Sequence, residues 1–114
     1  MLLRLLTLLP LFAPLLDDDI YFGKKDGAKK PAEVKATDAF NVIPEYKKIK
    51  EKGLTKDDAE YWTLLNKANE KFTKAVKKIA EEGKYDVVAE KGKVKFDTTP
   101  VDITEKVVDV LKKG

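Results

Sequence analysis

The chain contains no cysteine and no histidine. Without cysteine there is no disulfide, no thiolate metal site, no thiol nucleophile and no lipid anchor attached through an N-terminal cysteine. Without histidine, the one side chain that titrates unperturbed near neutrality is missing, so acid–base catalysis would have to rest on a shifted carboxylate or lysine. A Gly-rich phosphate loop, a metal-ligand cluster and a nucleophile constellation are also lacking. Adjacent acids such as Asp57 and Asp58, or Glu81 and Glu82, do not share a helix face and read as surface residues. The expectation is a protein that is not an enzyme and uses no cofactor or metal. An excess of one charge sign is scarce as well: 23 basic residues face 20 acidic ones, for a formal net charge of +3. Nucleic acid is therefore not an expected partner.

At 114 residues the chain has room for one small domain. Its first sixteen residues, "MLLRLLTLLPLFAPLL", carry one arginine and then a run of leucines broken by Pro10 and Pro14. That run is short for a bilayer span and right for the apolar stretch of an export signal. Residues 1–16 are read as a signal peptide, with an uncleaved membrane anchor as the open alternative, because no clean small-residue cleavage site follows. Residues 17–33, "DDDIYFGKKDGAKKPAE", have the composition of a flexible, solvated linker. Their three aspartates lack the alternating spacing and later glutamate of a calcium loop. Residues 34–114 form the expected domain.

Within that domain "VKATDAF" alternates weakly and suggests a strand. Pro44, Glu45 and Gly53 bracket a short helix with proline at its first position and glycine past its end. Tyr61, Leu65, Ala68, Phe72, Ala75 and Ile79 then recur at alternating steps of four and three, a coiled-coil-like seam on one helix from Lys56 to Glu82. Thr55 is its expected cap, with Asp58 three residues on, and Gly83 its stop. This helix would be roughly 40 Å long, about three times the short one, so part of the seam calls for cover from outside. "KYDVVAEKGKVKF" reads as a two-stranded hairpin turning at Lys91-Gly92, with Val87 opposite Phe96 and Ala89 opposite Val94. Asp102 is placed to cap a last helix whose apolar stripe includes Ile103, Val107, Val110 and Leu111. The fold class is thus α+β: a small antiparallel-type sheet, a short helix, one long helix and a C-terminal helix.

This order, and residues 66–111 in particular, resemble the Skp (OmpH) family of periplasmic chaperones for outer-membrane proteins. "NKANEKFTKAVKKIAEEGKYDVVAEKGKVKF" is similar to the end of that family's second long helix running into its hairpin, and "VDITEKVVDVLKK" to its closing segment. Upstream, "VKATDAFNVIPEYKKIKEK" is similar to its first strand and helical turn, although Thr37-Asp38 stands where a hydrophobic residue and aspartate are usual. The family's projecting helices are long pairs, whereas the first helix here is about nine residues. The resemblance implies an exported, periplasmic, ATP-independent holdase that trimerises through its sheet and holds unfolded outer-membrane or envelope proteins. Val87, Ala89, Val94, Phe96, Ile103 and Val107 are then the expected sheet and oligomer core.

Tyr61, Trp62 and Leu65 form the densest aromatic-aliphatic spot and are the candidate client contact. The plainer alternative packs Tyr61 and Leu65 on Ile49 and Leu54. The lysines of "KKIKEK" and "KFTKAVKK" suit acidic clients or peripheral association with an anionic membrane, against the plainer alternative of a solvated helix face. Two further functions stay open: a trimeric envelope scaffold without client binding, and a membrane-tethered helical adaptor.

Overall fold

The computed structural model describes residues 19–113, so the leader assigned to residues 1–16 lies outside it. The elements, in order, are β1 (Ile20–Gly23), β2 (Pro31–Val34), α1 (Ala36–Phe40), α2 (Pro44–Lys52), α3 (Ala59–Gly83), β3 (Val87–Glu90), β4 (Val101–Asp102) and α4 (Thr104–Lys113). The α+β class is as expected. The sheet is mixed rather than antiparallel: its order is β1-β3-β2-β4, with β1 antiparallel to β3 and the other two pairings parallel.

The first correction concerns residues 17–33, which from Ile20 onward are built into the sheet instead of serving as a linker. Two strands need few residues when partners exist. Ile20–Gly23 lines the free side of β3, and Pro31 stands at the first residue of β2, where a missing N–H costs least. The lysine-rich turn between them is held by Asp86, whose carboxylate accepts the backbone N–H groups of Lys29 and Lys30. Those two bonds hold the Asp86 carboxyl below its usual range. In β1 the register slips between Ile20 and Phe22, which leaves Tyr21 as an extra residue. Tyr21 and Phe22 both reach the main core, and the Tyr21 ring meets Phe72 edge-on at 5.1 Å.

The second correction concerns the hairpin. Val87, Val88 and Ala89 form a continuous buried run, the pattern of a strand buried on both faces. Both edges of β3 are already paired, so residues 93–96 have no place beside it. They belong instead to a strap, residues 91–100, that carries the chain back to start the parallel strand β4. Three bonds tie the strap down at its start. The Lys91 N–H donates to Val34 O at 3.0 Å, the Gly92 N–H to Glu33 Oε2 at 3.1 Å, and Lys91 Nζ pairs with Asp102 Oδ2 at 2.8 Å.

A third difference is that "ATDAF" is the helix α1 and not the end of a strand. Its opening N–H groups are satisfied by side chains distant in sequence: Lys35 N–H donates to Thr104 Oγ1 and Ala36 N–H to Glu90 Oε1. Glu90 also accepts the Tyr21 hydroxyl at 2.6 Å, so one carboxylate joins β1, β3 and α1.

The helix α2 ends as expected, with Gly53 in the left-handed conformation and the Leu54 N–H returning to Ile49 O. Helix α3 starts at Ala59, three residues later than expected. Thr55 and Asp58 do meet, but in the preceding turn, where Asp58 Oδ2 accepts the Thr55 N–H at 2.8 Å. The seam residues Leu65, Ala68, Phe72, Ala75 and Ile79 are all buried inside this one chain, against the sheet, α1, α2 and α4.

At the far end of α3, Lys84 rather than Gly83 takes the left-handed position. Gly83 matters by what it lacks: the Tyr85 ring occupies the space a Cβ there would fill, and Lys30 Nζ reaches over that ring to Gly83 O at 2.6 Å. Gly83→Ala, which propensity alone would make stabilising by about 0.5–1 kcal/mol, is instead expected to lower stability by about 1–3 kcal/mol through overpacking. Urea unfolding of Gly83→Ala and of Gly83→Ala with Tyr85→Ala checks this. The clash predicts that adding alanine at 83 costs less once Tyr85 is gone.

Candidate functional site

The three residues expected to contact clients are drawn into the fold. Leu65 is 2 % exposed and belongs to the main core. Tyr61 and Trp62 are half-buried and stack edge-to-face at 5.0 Å, covering the turn between α2 and α3 with Leu54 beside them. The Trp62 indole N–H donates to Lys56 O at 2.8 Å, which fixes the ring to that turn. Burial, and the nearby Tyr46, push the Tyr61 hydroxyl above its ordinary range. The plainer alternative, in which Tyr61 and Leu65 pack on the short helix, describes this end of α3.

The six expected sheet and oligomer residues divide among three places. Ile103 and Val107 join the helix-side core. Val87 and Ala89 are fully buried outside that cluster, on the face of the sheet shared by Glu33. Val94 and Phe96 are half-buried on the strap. Among the described residues the exposed large hydrophobic side chain is Val101 in the short edge strand β4, at 43 %.

A more suitable surface lies where α3 and α4 run side by side. A cavity of about 200 Å³ opens there, floored by Ala75, Val110 and Leu111 and edged by Lys71, Lys74 and Lys78. Spacings of three and four place these lysines along one side of α3. Lys71 is engaged, pairing with Glu45 Oε1 on α2 at 2.9 Å. Burial raises the Glu45 carboxyl, but the hydrogen bond and charge of Lys71 more than offset it and leave Glu45 below its usual range. Among the described residues Lys74 and Lys78 are exposed and make no ion pair, although Glu70 and Glu82 stand four residues away from them. The lysines were visible in "KFTKAVKK"; that Val110 and Leu111 would lie beside them was not, since only tertiary packing brings α4 there.

Asp102 acts as a structural hub. Its Oδ1 accepts both the N–H and the hydroxyl of Thr104, opening α4, while Oδ2 holds Lys91 at the base of the strap. Lys91 first, then Thr104, brings its carboxyl down to about 2. Among the described residues no group of three acidic side chains converges as a metal site would require.

Compared with family models, characterised proteins and solved structures, the chain matches none.

The depressed carboxyl at Asp102 gives a pH test. Because its folded value lies below the unfolded value of about 3.9, the ionised group stabilises the fold above about pH 4, and that contribution is lost as pH falls through about 2. The pair is roughly half exposed, so solvent screening keeps that contribution small. Asp102→Asn is expected to be less stable than the native chain at neutral pH, with the difference closing toward pH 2. Thermal unfolding at a series of pH values checks it; a difference that stays constant into acid would refute the linkage.

Proposed function

We propose that the chain is a non-enzymatic, ATP-independent holder of unfolded envelope proteins, exported to the periplasm, that binds client segments on the surface where α3 and α4 meet. The observation that supports this reading most is the α3–α4 cavity, whose floor is apolar and whose rim lysines Lys74 and Lys78 make no ion pair among the described residues. Both walls of that cavity fall within residues 66–111, the stretch in which the sequence most resembles the Skp (OmpH) chaperones. Apolar client groups would be taken from water by Ala75, Val110 and Leu111, with lysine charge supplying loose, adaptable attraction.

Holding of this kind does not call on a trimer. The seam that asked for outside cover is buried within one chain, so assembly would draw on another surface, such as the strap, residues 91–100, with Val94 and Phe96 half-buried there. Light scattering of the mature protein over a range of concentrations is expected to give the mass of one chain. A trimer stable to dilution would point to the strap face as its interface and to clients enclosed between copies.

The mature protein is expected to suppress aggregation of an outer-membrane barrel protein diluted out of urea, without ATP. No suppression at several-fold molar excess would reject the holding function. The burial of the seam also favours a second reading, an adaptor in which the same groove takes one fixed partner; saturable binding of a single envelope protein, with no effect on aggregation, would select it.

A further inference from the structure

Building on the holding function, we infer that the α3–α4 groove selects by charge: it takes apolar polypeptide segments flanked by carboxylates, and rejects the same segments flanked by lysines. Size is the first argument. A volume of about 200 Å³ falls below the ~300 Å³ at which small-molecule sites begin, so the cavity suits one or two apolar side chains of a longer chain. The second argument is charge. Lys71 is neutralised by Glu45, which leaves Lys74 and Lys78 as the cations on the rim. At 1.5 Å per residue these stand about 6 Å apart along α3. A client with two carboxylates at that separation and an apolar group between them would satisfy both lysines while filling the floor. Among the described residues no aromatic side chain lines the cavity to stack on a nucleic-acid base, which favours a polypeptide as the occupant.

The test uses the mature protein and two labelled peptides with the same leucines, one flanked by glutamates and the other by lysines. Fluorescence anisotropy at low salt is expected to show the acidic peptide bound about threefold to tenfold tighter, the yield of two exposed charge pairs. The preference should shrink as ionic strength rises toward about 0.15 M. Lys74→Glu with Lys78→Glu is expected to reverse it. Lys47→Glu with Lys77→Glu makes the same change in net charge at exposed positions outside the groove and is expected to preserve it. Equal affinity for the two peptides, or equal loss of preference in both double variants, would overturn the inference. Aggregation suppression measured on the same samples reports the holding function separately, so a groove without charge preference and a protein that holds no client give different results.

Discussion

Val87–Glu90 is hydrogen-bonded along both edges, antiparallel to Ile20–Gly23 on one side and parallel to Pro31–Val34 on the other. Most of the architecture follows from that constraint. A parallel neighbour needs a crossover, and the three helices between Val34 and Val87 provide it while covering one face of the sheet. With no edge left on β3, the next ten residues become a strap instead of a hairpin arm. The long helix then finds its cover within the chain: Phe72, fully buried at the middle of the seam, meets Tyr21 from β1 and Phe40 from α1.

The helices were legible because their signals are local. Proline at the first position, glycine after the last, and apolar residues at steps of three and four placed Pro44–Lys52, and put α3 and α4 within a few residues. The sheet was not, because its signals are long-range. Lysine-rich residues 24–30 resemble a linker by composition, and only the Asp86 carboxylate, more than fifty residues away, turns them into an ordered connection. "VKATDAF" resembles a strand by alternation, and only Glu90 and Thr104, supplying acceptors at its start, turn most of it into a helix. The hairpin failed for a related reason: alternation in "KVKF" matched a strand, while the buried run "VVA" next to it was the mark of a strand paired on both edges. The same limit applies to function. Of the residues that stood out in composition, Leu65 lies in the core while Tyr61 and Trp62 are half-buried over a turn, whereas the α3–α4 cavity exists only once the final helix is laid beside the long one.

Charge on this protein divides into committed and uncommitted groups. Glu45 with Lys71 joins α2 to α3, Lys52 with Glu60 spans the turn between those helices, and Lys91 with Asp102 anchors the strap. Lys52 with Glu60 and Lys91 with Asp102 are exposed enough that each contributes little alone, and Glu45 with Lys71 is partly buried; what the three supply is position. Among the described residues Lys74 and Lys78 on α3 make no such pair, which leaves them available to act on something outside the chain. A net charge of +3 gives no strong general pull on acidic material. A local pair of unengaged lysines over an apolar floor does give a directional one.

Under the proposed holding function, a groove of this size would set the style of binding as well as its target. Among the described residues that line it, this shallow cavity has no buried aromatic or arginine anchor of the kind that concentrates affinity in tight interfaces. Each engagement therefore buries little area, and electrostatics contributes more to encounter rate and selection than to residence time. A holder of unfolded chains benefits from both properties, since a client that is released quickly can fold and one that is recaptured quickly cannot aggregate. A dedicated adaptor would need the opposite, a large complementary surface with long residence. The α3–α4 surface, small and rimmed by the unpaired Lys74 and Lys78, fits the first task better than the second, and the proposed holding would need only one chain because the long helix has already spent its apolar seam on its own core.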